Sequence, residues 1–148
     1  MKPAIKKDDH FQLAEQFVNH TRRNLFITGK AGSGKTTFLQ HIRKSTPKES
    51  LIVAPTGVAA INAGGMTIHS FFQLPLGLYL PDDHPPVGGQ HLSYAIHTPS
   101  QLLRNLRINR HKKKLIRQLE LLIIDEISMV RADLLDAVDR VLRYLRHE

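Results

Sequence analysis

The chain is predicted to adopt an α/β fold with a mostly parallel sheet, on three observations. Short apolar runs alternate with segments of helical spacing, the pattern of repeated strand–helix units. The clearest run, Leu121-Leu122-Ile123-Ile124, is apolar at every position, which suits a strand covered on both faces. A glycine-rich octapeptide separates one such run from one such helix, the setting in which a loop can grip phosphate.

The elements follow in order. Phe11, Ala14, Phe17 and Val18 have helical spacing, with Asp8 or Asp9 as candidate N-cap. Leu25-Phe26-Ile27 ends at Gly29 and reads as a strand. A helix is predicted from about Lys35 to Lys44, stopped before Pro47. Leu51-Ile52-Val53-Ala54 reads as a second strand ended by Pro55, and Gly57 to Ala63 as a short helix. Leu121–Ile124 is the third strand. Leu134, Leu135, Val138, Val141, Leu142 and Leu145 form a helical stripe, with Asp136–Arg140 and Asp139–Arg143 as i,i+4 pairs on its wet side. Between Pro75 and Pro99 the pattern lapses at Gly77, Pro81, Pro85-Pro86 and Gly88-Gly89. That is long for a bare connection, so it holds a functional excursion or an unrecognised element.

Composition narrows the function classes. The 148 residues are 41% hydrophobic and 23% charged, enough for a packed core of about one domain. The chain has no cysteine, which excludes disulfides, thiolate zinc sites and cysteine nucleophiles. No apolar run approaches the ~20 residues of a membrane span, and the N-terminus lacks the apolar core of a signal peptide. No membrane partner is therefore expected, and a cytoplasmic location is. The net charge of +8 points to a polyanionic partner. Part of the excess is local: Arg104, Arg107, Arg110, Lys112, Lys113, Lys114 and Arg117 stand together with no acid among them. This stripe could bind DNA or be a solvated helix face.

Gly29-Lys30-Ala31-Gly32-Ser33-Gly34-Lys35-Thr36 fits G-x-x-x-x-G-K-[ST]. The glycines let successive backbone N–H groups point inward at phosphate oxygens, and the helix N-terminus adds its own unpaired N–H groups. Lys35 supplies a charge to the β and γ phosphates, and the Thr36 hydroxyl is placed to ligate Mg²⁺; Thr37 completes the nucleotide-binding set. Asp125-Glu126 follows the third strand, 90 positions after Lys35 (125 − 35). Asp125 at a strand tip would hold Mg²⁺, and Glu126 can polarise the attacking water. Lys35 and Glu126 are thus the candidate catalytic residues. The two motifs together indicate ATP or GTP with Mg²⁺, and hydrolysis.

The segment Val53 to Gly65 is not needed for phosphate binding, and Thr67-Ile68-His69-Ser70-Phe71-Phe72 follows it; Asp125-Glu126 continues as Ile127-Ser128-Met129-Val130. With the phosphate loop, these strings closely resemble the PIF-type DNA helicases of superfamily 1, from about Phe11 to Leu145. The resemblance implies a three-layer RecA-like fold, ATP and Mg²⁺ as cofactors, single-stranded or forked DNA as partner, and unwinding in DNA repair, recombination or replication. It places Gln12 as the adenine-reading glutamine, with Gln16 the weaker choice. Gly29–Thr36 corresponds to motif I, Pro55-Thr56-Gly57 to motif Ia on the single strand's backbone, and Asp125-Glu126 to motif II. His69 with Phe71 or Phe72 would lie by the DNA, although both rings are equally good core residues. The 75–117 excursion stands where the family inserts its strand-separating subdomain. A bacterial-type member is suspected.

Family members continue past motif II with a further strand and a second RecA-like domain whose arginines reach the γ-phosphate. The 148 residues are therefore expected to be a partial RecA-like domain that binds nucleotide, hydrolyses it slowly and does not unwind DNA alone. The sheet is expected to be incomplete. Its strands Leu25–Thr28 and Leu121–Ile124 would be separated by a gap, pair directly, or recruit a strand from another chain. Two readings compete with the helicase: a truncated nucleotide-gated DNA-binding module without turnover, and a non-helicase phosphate-loop ATPase.

Overall fold

A computed structural model describes residues 9–84 and 95–147. Its elements are α1 (Asp9–His20), α2 (Lys35–Ser45), β1 (Ser50–Ala54), α3 (Gly57–Ala63), β2 (Met66–Thr67), α4 (Ile68–Phe72), β3 (Leu78–Tyr79), β4 (Ile96–His97), α5 (Pro99–Asn105), α6 (Arg110–Gln118), β5 (Leu121–Ile124) and α7 (Ala132–Arg146). A single 3-10 turn, Ile127–Met129, joins β5 to α7.

The central sheet has the order β2-β1-β5, all parallel. β1 and β5 are in register at Leu51↔Leu122, Ile52↔Ile123 and Val53↔Ile124. Side chains alternate across a strand, so this register sorts the core into two layers. Ile52 and Ile123 face Phe38 and Ile42 of α2, with Phe11, Ala14 and Val18 of α1 packed behind. Val53, Leu51, Leu122 and Ile124 face the other way, onto Leu134, Ala137, Val138, Val141 and Leu145 of α7. That is a helix–sheet–helix sandwich, the expected RecA-like α/β fold. The apolar stripe of the last helix is its buried face, and Arg143 pairs with Asp139 at 2.7 Å. Arg140 does not pair with Asp136; it donates to the Pro81 carbonyl.

Two expectations change. Residues 21–30 contain no strand. Both edges of β1 are taken, by β2 and β5, and among the described residues no strand lies beyond β5. Leu25–Thr28 does not pair with the open outer edge of β5 and gains no regular structure. Ile27 packs on the α2 layer while Leu25 and Phe26 stay exposed. The Pro75–Pro99 lapse conceals a second sheet, in which β3 and β4 pair in parallel. Strands of two residues carry no periodicity to read. Pro85-Pro86, Gly88-Gly89 and the Asp8 cap lie outside the described residues. The rest of the excursion does not stand apart: Tyr79, Leu102, Ile108 and Ile116 join the α7 layer of the core.

Candidate nucleotide site

The loop 29–34 is built as its sequence demands. Gly32 and Gly34 have φ of 78° and 89°, the left-handed region that a side chain disfavours. Ser33 N–H closes a turn on the Lys30 carbonyl at 3.2 Å, and Phe38 N–H begins the helical ladder on the Gly34 carbonyl at 2.8 Å. Lys35 folds back over the loop: its Nζ donates to the Gly29 carbonyl at 2.7 Å and to the Lys30 carbonyl at 3.0 Å. The ammonium is thereby held above the cradle at the N-terminus of α2, where helix dipole and free N–H groups favour an anion. Gly29, Lys30, Ala31, Gly32, Ser33, Gly34, Thr36 and Thr37 are all exposed.

α2 packs across β1 and β5 and leads straight into β1. Its eleven residues span ~16 Å and the five of β1 about the same. It therefore runs antiparallel to the strands, and its N-terminus lies toward their carboxyl ends. Asp125 and Glu126 are at that end of β5. Asp125 N–H extends the ladder to the Val53 carbonyl at 2.9 Å, and its Oδ1 accepts from Glu126 N–H at 3.0 Å. Glu126 is exposed and left-handed, φ 53°, so its carboxylate turns out of the strand line. A hydroxyl (Thr36) and a carboxylate (Asp125) are hard oxygen donors of the kind Mg²⁺ takes alongside phosphate oxygens. Among the described residues no cluster of three or more His, Asp or Glu could hold a metal without such help.

Gln12 is exposed on α1, as is Gln16. It follows Phe11, which packs edge-on against Phe38 at 4.9 Å, one turn inside α2. Glu15 meets His41 Nε2 at 2.6 Å and fixes the same two helices together. Gln12 is therefore carried on a helix docked to the one that opens at the phosphate loop.

The residues proposed to meet DNA separate into two groups. Pro55, Thr56 and Gly57 stand at the carboxyl end of β1, where Thr56 caps α3 by accepting from Ala59 N–H at 3.2 Å. They directly follow the strand whose Val53 carbonyl bonds Asp125 N–H. Phe71 and Phe72 are 3% and 0% exposed, stacked edge-on at 4.9 Å. A ring buried in the core offers no face to a base, so both leave the DNA-contact set. His69 stays half-exposed on a cleft of about 310 Å³ that it shares with Gln73, His97, Gln101 and Asn105. Burial, and then the positive charge of Arg131, hold its imidazole below the usual pKa. At neutral pH it is an uncharged hydrogen-bonding group rather than a cation for phosphate.

A profile described as PIF1-like helicase matches residues 6–82, more than half of the chain. The chain belongs to the PIF1-like helicase family. It is 32% identical to the ATP-dependent DNA helicase PIF1 of Candida albicans over 99% of its own length and 14% of that protein. It superposes with a TM-score of 0.75 and 40% identity on Pif1 helicase from Bacteroides in complex with ADP-AlF3 and ssDNA, covering 93% of this chain and 28% of that one. A structure of Pif1 helicases unwinding forked dsDNA gives 0.77 and 40%, covering 95% and 30%. The chain thus spans between 12% and 30% of the length of the relatives it matches. No helix among the described residues is long and apolar enough to cross a membrane.

Proposed function

We propose that these 148 residues are the ATP-binding portion of an ATP-dependent DNA helicase that couples ATP hydrolysis to translocation on single-stranded DNA and to unwinding at forks, in repair, recombination or replication. The carrying observation is the Lys35 ammonium held over the Gly29–Gly34 cradle at the carboxyl edge of a parallel sheet whose next strand ends in Asp125-Glu126. Lys35 stabilises phosphate charge, Thr36 and Asp125 hold Mg²⁺, Glu126 orients and polarises water, and Gln12 reads adenine. Bound Mg²⁺ would neutralise phosphate charge; the protein's part is to position it. Pro55, Thr56 and Gly57 grip the strand's backbone, with His69 beside it. A cytoplasmic setting belongs to this reading, and the cysteine-free composition is compatible with it. The higher identity to the Bacteroides protein than to the Candida one supports a bacterial-type member.

Arginines reaching the γ-phosphate are worth about 10³–10⁵ in rate. The 148 residues by themselves therefore bind nucleotide and turn it over slowly. Steady-state ATPase with and without single-stranded DNA tests the reading. In a protein of the relatives' length, turnover rises with DNA and strand separation follows. No stimulation there would overturn the helicase in favour of a nucleotide-gated binding module or a phosphate-loop ATPase of another kind.

A further inference from the structure

The two backbone edges of β3 are satisfied by different partners. Leu78 N–H donates to the Ala95 carbonyl and Leu80 N–H to the His97 carbonyl, each at 2.9 Å, so positions 78 and 80 face β4. Positions 77, 79 and 81 face the opposite way, where an edge strand ordinarily meets water or another chain. Here they meet side chains of α7 and of its N-cap. The Gly77 carbonyl accepts from Arg131 Nη2 at 2.9 Å, Tyr79 N–H donates to Asp133 Oδ2 at 3.0 Å, and the Pro81 carbonyl accepts from Arg140. Arg131 and Asp133 also grip each other, Nε to Oδ1 at 2.9 Å and Nη2 to Oδ2, a forked pair with a fixed geometry. Guanidinium and carboxylate together thus close a clasp on the outer edge of β3.

The clasp begins where the nucleotide motif ends. Arg131 is the N-cap of α7. Between it and Glu126 lies only the left-handed Glu126 backbone and one 3-10 turn, closed by Met129 N–H on the Glu126 carbonyl and Val130 N–H on the Ile127 carbonyl, both at 3.0 Å. The connection is one short hydrogen-bonded turn, the most direct chain route by which a displacement at Glu126 would reach Arg131. On its far side, Arg131 also stands near enough to His69 to depress its pKa.

We propose that Arg131 and Asp133 are positioning residues that couple the nucleotide state at Asp125-Glu126 to the β3–β4 layer, by holding the Gly77 carbonyl and the Tyr79 N–H. The nucleotide in this inference rests on the proposed ATP site; the clasp is independent of it. Amide hydrogen exchange of the 148-residue chain, with and without Mg²⁺ and a non-hydrolysable ATP analogue, tests it. The analogue should protect the loop amides of Ser33 and Gly34 and alter exchange at Tyr79 by about fivefold or more. In Asp133→Asn the loop protection should remain and the Tyr79 response should vanish. Arg131→Lys, which keeps the charge but loses the fork, gives the same reading should Asp133→Asn not fold. Arg140→Ala removes the Pro81 bond and a charge near Asp83 but spares the Gly77 and Tyr79 bonds, and should leave the response intact. Loop protection with an unaltered Tyr79 in the wild type overturns the coupling. An unprotected loop overturns the ATP site, and the coupling with it, so the two failures are distinguished at the loop amides.

Discussion

Lys35 shows how far a local pattern specifies a site. Its spacing from Gly29 lets the side chain reach back to the carbonyls that now hold it, and every member of the cradle lies within eight consecutive residues. Chemistry confined to one loop is legible from sequence alone. Lys35→Ala removes the charge that faces the phosphates, so affinity for a fluorescent ATP analogue should fall at least tenfold, about 1.4 kcal/mol, with the melting temperature unchanged. Equal affinity in the variant would reject the loop as the nucleotide site. Glu126→Gln should instead retain binding and lose about 10²–10⁴ of turnover. At Phe71 and Phe72 the sequence is ambiguous for an equally local reason: an aromatic side chain suits a core and a base equally well, and only burial decides.

Elements are legible according to whether their signal is internal. α2, α3, β5 and α7 declare themselves by apolar pattern and by Gly or Pro stops: α3 and β5 have the predicted bounds, α2 runs to Ser45, and α7 contains the predicted stripe. Leu25–Thr28 has the composition of a strand but pairs with nothing in the sheet, and pairing is a condition that no single segment encodes. The clasp between α7 and β3 is illegible because it joins residues 54 positions apart, Tyr79 and Asp133. It leaves a titration signature. The Arg131 bonds, assisted by the Tyr79 N–H, pull the Asp133 carboxyl down to about 2. A depressed acid contributes stability that is full above its ordinary value near 3.8 and is lost as pH falls through about 2. Solvent screening of this partly open pair reduces the contribution to ~1 kcal/mol. Asp133→Asn should therefore be less stable than wild type at pH 5, and the gap should narrow as pH falls from about 4 toward 2 in denaturant titrations. A gap independent of pH would assign the loss to packing.

The basic stripe divides at the same scale. Lys112 donates to the Ser70 carbonyl at 3.0 Å and lies over the Phe71 ring at 5.8 Å, and Arg117 donates to the Leu145 carbonyl at 3.0 Å. These two cations hold α6 to α4 and α7. Arg104, Arg107, Arg110, Lys113 and Lys114 are exposed. Neutralising those five should flatten the dependence of log K on log salt for single-stranded DNA by ~0.7 for each phosphate they bind. An unchanged slope would make the stripe a solvated face.

At the scale of the molecule, the sheet determines behaviour. β1 is protected on both edges, while β5 has a strand on one side only among the described residues. Packed on the α2 layer through Ile27 runs a segment without regular structure in which Phe26 is 74% exposed. An open parallel edge and an exposed apolar segment are templates for pairing with another copy. The 148-residue chain should accordingly melt at a temperature that depends on protein concentration, and associate above the micromolar range. Phe26→Ser tests the cause: a side chain this exposed contributes within ~0.5 kcal/mol to the fold, so the dilute melting point should hold while association weakens. A variant that associates as strongly as wild type would locate the sticky surface elsewhere, on the exposed Val58 and Ile61 of α3. A cooperative melt at high temperature, independent of concentration, would show that the three strands and two helical layers are sufficient as they stand.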